Sequence, residues 1–125
     1  MRVVLFSLLL IALAACAEDR EKQAMRFYGS LRTFGTLFLE YKKDAQASGL
    51  PEDQWLPSNL NDFISSGYIS IDDFQKLTKG FKIEYLRPKD SSDKSPILVI
   101  EVEDWHGDVF ADGSYKTLKA VPFKR

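Results

Sequence analysis

The residues best equipped for chemistry stand together near the end of the chain, as Asp104-Trp105-His106-Gly107-Asp108. An imidazole beside carboxylates can serve as a general base, which would suit a small hydrolase. Such a reaction also needs an activated nucleophile, and the chain carries no Gly-x-Ser-x-Gly elbow. The plainer reading is a polar loop between strands, with Trp105 closing one end of the core, in a protein that is not an enzyme. The same stretch offers oxygen ligands. Glu103, Asp104 and Asp108, with Asp112 nearby, could serve a Ca2+ ion, which takes six to eight oxygens. Their spacing matches no EF-hand loop, and Asp112 is explained by a turn. A calcium- or small-ligand-binding domain stands as the alternative function; the first reading expects no metal and no cofactor.

Composition narrows the classes further. The 125 residues carry 17 Lys+Arg against 18 Asp+Glu, a formal charge of -1, without a basic stripe. That balance argues against a nucleic-acid binder. One cysteine excludes an intramolecular disulfide and a cysteine zinc cage, and one histidine excludes a multi-histidine metal centre. The length suits one domain.

Three kinds of element must position these groups. Residues 19–46 read as a long helix, because Ala24, Phe27, Leu31, Phe34, Phe38, Tyr41 and Ala45 recur at steps of three and four. Lys22, Arg26, Ser30, Thr33, Glu40 and Asp44 form its polar side. Two short helices follow, over residues 59–66, with Ser58 or Asn59 as N-cap, and over residues 71–78, headed by a capping box at Ser70. From Phe81 the period becomes two. Residues 81–86, 97–103, 107–111 and 115–121 read as strands, with a solvated loop over 88–96 and a type I′ turn at Asp112-Gly113. The expected fold is α+β: a long N-terminal helix packed on a small antiparallel β-meander of three to four strands, with two short helices between. Trp55, in the connecting segment, reads as a plug of the core.

The start of the chain stands apart. Arg2 precedes a run from Val3 to Ala15 that is apolar or small except for Ser7. It is shorter than the roughly 20 apolar residues of a membrane-spanning helix and has the length of a signal-peptide core. The run ends in Leu13-Ala14-Ala15-Cys16, which resembles a bacterial lipobox. The resemblance makes residues 1–15 a lipoprotein signal peptide and residues 16–125 the mature domain. It implies a diacylglyceryl thioether on Cys16 and a further chain, such as palmitate, on its amine. Two or more chains anchor stably where one holds marginally. Ala17 rather than an aspartate at the next position implies sorting to the outer membrane, facing the periplasm. The competing reading is an ordinary secretory signal cut after an Ala-x-Ala site.

The mature domain resembles the soluble part of type IV pilin-like proteins, the pseudopilins of type II secretion. The run from Leu31 to Tyr41 is similar to the second half of the pilin spine helix. Trp55 to Phe63, then Gly67-Tyr68-Ile69, is similar to the segment wrapping from that helix to the sheet. Val109 to Tyr115 is similar to the Phe-Ala-Asp-Gly hairpin near the end of such domains. The resemblance implies assembly through protein–protein contacts in a secretion or pilus-type system, and it also implies calcium as the ligand an acidic cluster here would take. The chain departs from the pattern at its start, where a lipobox replaces the prepilin peptidase site and the apolar filament helix.

Together these readings describe a membrane-anchored envelope lipoprotein acting by protein contact. The apolar arc of the long helix exceeds what one small sheet covers, with Leu37 beyond it on one side and Tyr28 and Leu39 on the other. The short helices can cover one flank through Phe63, Ile64 and Leu77. Tyr28 and Leu39 are therefore the expected partner surface. If Cys16 is the lipidation site, Cys16→Ser should accumulate as an uncut precursor that incorporates no labelled palmitate. Cleavage of that variant between positions 15 and 16, with retention in the membrane, would refute the lipobox assignment.

Overall fold

The computed structural model describes residues 2–88, 94–103 and 105–118, with side chains from Arg20 onward. Helix α1 (Arg2–Ala47) is followed by a 3-10 turn at Glu52–Gln54, then α2 (Asp62–Ser65) and α3 (Ile71–Thr78). Four strands complete the order: β1 (Lys82–Tyr85), β2 (Leu98–Val102), β3 (Trp105–Val109) and β4 (Tyr115–Leu118). They form one antiparallel sheet in the order β1-β2-β3-β4. This is the α+β arrangement that the hydrophobic periodicity predicts, with a meander of four strands. Among the described residues no helix is long and apolar enough to cross a membrane.

The apolar stripe of α1 is the spine of the core. Phe27, Leu31, Phe34 and Phe38 are buried and form one cluster with Phe63 of α2, Ile97 just before β2, and Leu98, Ile100, Val102 and Val109 of the sheet; Ala45 is buried further along the same stripe. The rings interlock edge to face: Phe38 with Phe63 at 5.1 Å between centroids, and Phe34 with Phe74 at 6.1 Å. Offset and edge-on pairs of this kind add stabilisation beyond their buried area.

Glycine sets how closely α1 approaches the sheet. The ridge Phe27-Leu31-Gly35-Leu39, at steps of four, runs along β3 and β4. A Cβ on Gly107 would stand 2.6 Å from both methyl carbons of Leu31 and 3.0 Å from Phe27 Cζ. A Cβ on Gly35 would overlap the carbonyl oxygen of Gly113, and one on Gly113 would lie 3.2 Å from Leu39 Cβ. Helix backbone thus rests on turn backbone.

Several local expectations need correction. Strand β3 begins at Trp105, so Trp105 and His106 are strand residues and not part of a loop. The cause is the register Val102↔Trp105, which closes the β2–β3 hairpin at Glu103, in left-handed backbone with φ 47°. Phe110 and Ala111 leave the strand for the next turn. That turn is a three-residue loop, closed by Phe110 N–H donating to Ser114 O (2.8 Å) and Gly113 N–H donating to Phe110 O (3.0 Å). Only Gly113 has positive φ (86°), so it is the bulge form of hairpin and not type I′. Residues 89–93 of the 88–96 loop and residues 119–121 of the last expected strand lie outside the described residues.

The polar side of α1 also holds a surprise. Ser30 is buried, and its hydroxyl donates to Leu77 O at 2.7 Å, while Arg26 donates to Lys76 O (3.0 Å) and Lys79 O (2.8 Å). The last carbonyls of a helix lack intrahelical partners. Side chains of α1 supply them for α3, which fixes α3 against one flank of α1. At the other end of α3, Ser70 Oγ accepts from Asp73 N–H (3.1 Å), the expected cap. The expected N-cap at Ser58 or Asn59 is displaced: α2 starts at Asp62, and its N-cap is Asn61 without a side-chain cap bond. Asn59 and Asp62 instead close the turn ahead of it, through Asp62 N–H to Asn59 Oδ1 (3.2 Å) and Asn59 N–H to Asp62 Oδ2 (3.4 Å).

The connecting segment is tied down at both ends. Trp55 does not plug the core as expected: it is half-buried outside the core cluster, where its Nε1 donates to Leu50 O at 3.0 Å and Lys42 Nζ sits 5.7 Å from its ring centre. Tyr85 donates its hydroxyl to Pro57 O (2.7 Å), and burial pushes that phenol above its ordinary range. Tyr68 donates to Asp44 Oδ2 (2.6 Å), which pushes its pKa up to about 12.

Two glycines of α1 separate propensity from packing. A Cβ on Gly29 meets nothing within 4 Å, so Gly29→Ala should stabilise by up to about 1 kcal/mol through helix propensity. Gly35→Ala gains the same propensity but forces the Gly113 turn outward, and should lose on the order of 1–3 kcal/mol. Thermal denaturation checks both, at roughly 4–8 °C per kcal/mol for a domain of this size. Equal midpoints for the two variants would contradict the close contact.

Candidate functional site

The densest polar constellation lies on the sheet face turned away from α1. The register places Glu101 of β2 directly opposite His106 of β3, and Asp108 two residues on shares that face. Between them Gly107 points inward, where Leu31 and Phe27 leave no room for a side chain. The triplet His106-Gly107-Asp108 is therefore a strand with two polar groups out and a glycine in.

The imidazole bridges both carboxylates. Its Nδ1 lies 3.2 Å from Glu101 Oε1 and its Nε2 lies 2.8 Å from Asp108 Oδ1. Side-chain exposure is 34% for His106, 45% for Glu101 and 12% for Asp108. Asp108 is thus the enclosed partner and Glu101 the wet one. A ring with a proton on each nitrogen donates to both carboxylates, whereas a singly protonated ring donates to only one. Lys82 stands opposite Glu101 on β1, and Lys116 opposite Asp108 on β4. The result is a charge ladder across four strands. Because each ring nitrogen faces a carboxylate, no nitrogen of His106 faces a hydroxyl or thiol. The geometry gives a base with its partners and no nucleophile.

A metal finds less here than the sequence suggests. Among the described residues no group of three or more His, Cys, Asp or Glu is placed to hold an ion. The ring holds Glu101 and Asp108 apart on opposite nitrogens. Of the calcium candidates, Asp104 lies outside the described residues, and Glu103 is exposed on the β2–β3 turn. Asp108 pairs with Val99, four residues back along β2 from Glu103, a separation of about 13 Å at the rise of a strand. The structure does not bring Glu103 and Asp108 together. Asp112 belongs to its turn. Its carboxylate accepts from the hydroxyl and the amide of Ser114, and these bonds hold its carboxyl below the ordinary range.

The other candidates are spread along α1. The backbone of Cys16 is part of α1, and its side chain lies outside the described residues. Tyr28 is 47% exposed, with its ring edge-on to Phe27 at 5.7 Å between centroids. Leu39 is half-buried and packs on Gly113. Leu37, on the opposite flank, is 5% exposed, on the side that α3 covers. The expected asymmetry of the helix is present, with Tyr28 as the open position and Leu39 partly enclosed.

Sequence reasoning missed Glu101. Nothing in its linear surroundings marks it, and only the β2–β3 register brings it to His106. Placing the hairpin turn at Glu103 would have revealed the pair, since residues 101 and 106 are then symmetric about it. Comparison with known proteins finds no matching family, no matching curated protein and no matching solved structure.

The unequal burial of the two carboxylates gives an energetic prediction. In double-mutant cycles, the His106–Asp108 pair should couple by about 1.5–3 kcal/mol, the range of enclosed charged hydrogen bonds. The His106–Glu101 pair should couple by only about 0.2–1 kcal/mol, as exposed ion pairs do. Urea denaturation of the single and double alanine variants measures both. A larger coupling to Glu101 would show the ring oriented differently.

Proposed function

We propose that this chain is a lipid-anchored lipoprotein of the bacterial envelope, periplasm-facing and held in the outer membrane, whose α+β domain acts by protein–protein contact in a secretion or pilus-type assembly. One observation carries the reading. The only cysteine of the chain occupies the last position of Leu13-Ala14-Ala15-Cys16, directly after an apolar run of signal-peptide length. A second supports it. The flank of α1 beside β4 keeps Tyr28 47% exposed, whereas the opposite flank is closed by α3. An aromatic side chain with little conformational freedom is a common anchor of protein interfaces.

In this reading α1 has three tasks. Its start carries the lipid, its buried stripe organises the core, and its open flank from Tyr28 toward Leu39 meets the partner. The His106 cluster is then a cross-strand clasp that holds the β2–β3 hairpin, and the protein needs no cofactor to act.

The flank is tested by Tyr28→Ser, combined with a photo-reactive residue at position 32 on the same side of α1. Tyr28 supports little of the core, so the variant should keep its stability within about 0.5 kcal/mol of the parent, as surface changes do. It should at the same time lose the cross-link to its envelope partner. An undiminished cross-link, or a marked drop in melting temperature, would remove Tyr28 from the contact.

A further inference from the structure

The two edges of the sheet are finished differently. At β1 the inward residues Ile83 and Tyr85 are half-buried, and Tyr85 is tied to the connecting segment through Pro57 O. The outward pair, Lys82 and Glu84, puts a charge at every second position, a common guard against edge pairing. At β4 the only charge is Lys116, set between exposed apolar side chains: Tyr115 is 42% exposed and Leu118 46%.

The backbone of β4 is open at alternate residues. Phe110 N–H donates to Ser114 O, and Val109 O is taken by Ile97 N–H on the β2 side. Val109 stands opposite Tyr115, and Gly107 opposite Thr117. Bonded positions alternate along an antiparallel pair. Lys116 and Leu118 therefore bond β3, while the N–H and C=O groups of Tyr115 and Thr117 point away from the sheet. One extended segment lying beside β4 meets all four groups.

The side chains at this edge say what such a segment carries. Gly107 faces Leu31 and Phe27, so Thr117 opposite it, and Tyr115 two residues before, lie on the α1 side of the sheet. Tyr115 stays open there, as does Tyr28 on the neighbouring flank of α1. A fifth strand, about 4.8 Å beyond β4, would extend the sheet beneath that flank. Exposed Arg32 stands one turn after Tyr28, and Lys116 lies on the other face of the sheet. The described residues give neither cation an ion pair. Of the acids on this side, Asp112 is engaged by Ser114, and Glu21 lies about two turns before Tyr28. A second copy suits the edge badly, because antiparallel pairing of two β4 strands would point their α1 helices, and hence their tethers, in opposite directions.

We infer that the envelope partner contributes an extended segment that adds to β4 as a fifth strand, with apolar side chains inward against Tyr28 and Tyr115 and acidic ones outward beside Lys116. The inference rests on the reading of this flank as the partner contact. The test uses the full-length protein as purified from cells, in detergent. The probe is a capped peptide of alternating valine and glutamate, with amide exchange read by NMR. At about ten times its Kd, the peptide should slow exchange of the Tyr115 and Thr117 amides about tenfold. Lys116 and Leu118, already bonded to β3, should not change. Residues opposite Tyr115 and Thr117 share their face, so the valine nitrogens are the ones that meet β4. The same peptide methylated on those nitrogens, or carrying lysine for glutamate, should leave both amides as they were; protection by either overturns the inference. So does a peptide that moves the Tyr28 and Arg32 resonances without protecting the two amides, or one that changes nothing. In those cases the cross-link from position 32 still decides the contact reading by itself. Protection of both amides before peptide is added would show the edge already filled. The occupant would be a second copy if that protection grows with protein concentration, and residues 119–125 if it does not. Either result overturns the inference.

Discussion

Everything in this domain depends on how closely α1 lies on the β3–β4 hairpin. Three glycines make that approach: Gly107 under Leu31 and Phe27, and Gly35 against Gly113, where no Cβ fits between the two backbones. With the helix so near, the inner face of β3 has no room for side chains at its centre, and the polar groups of that strand must lie on the other face. That is why His106 and Asp108 flank a glycine, and why they meet Glu101 on open sheet rather than in a cleft. The same contact draws Leu39 partly under the turn and leaves Tyr28, below it, in solvent.

The second flank of α1 is fixed by a further force. Arg26 and Ser30 satisfy the terminal carbonyls of α3, groups that would otherwise lie against the helix without partners. Apolar packing holds the sheet, whereas α3 is held by both packing, through Phe74 and Leu77, and hydrogen bonding. Among the described residues, the flank beside β4 is met by the Gly113 turn at Gly35 and Leu39, and Tyr28 stays 47% exposed. One helix thus supplies the buried stripe of the core, the ridge that meets the β3–β4 turn and the side chains that hold α3.

Much of this was legible in the sequence, because burial imposes periodicity. Phe27, Leu31, Phe34 and Phe38 mark the core side of α1, and Ser70 marks the head of α3, since both signals act within a few residues. The elements that resisted reading are those set by contacts distant in sequence. Ser30 and Arg26 look like solvent-facing residues until α3 arrives from almost fifty positions away. Trp105 and His106 look like loop because Asp104 and Gly107 are poor strand residues in isolation; the register with β2 and the crowding at Leu31 override that preference. The Asp112-Gly113 pair announces a turn correctly, but its type is decided by whether Ala111 joins the loop. The acidic candidates Glu103 and Asp108 are near neighbours in sequence, yet the rise of the strands separates them.

The central claim, that helix backbone rests on turn backbone, is tested most directly by proton–proton distances in solution. With Gly35 against Gly113 and Leu39 Cβ beneath the same turn, a NOESY spectrum should show cross-peaks from the Gly113 α-protons to the Leu39 β-protons and to the α-protons of Gly35. Their absence, in a protein whose Phe27 and Trp105 ring protons still show their mutual contact, would contradict the account. It would mean that the hairpin is held at a distance from α1 and that the glycines are not what brings them together.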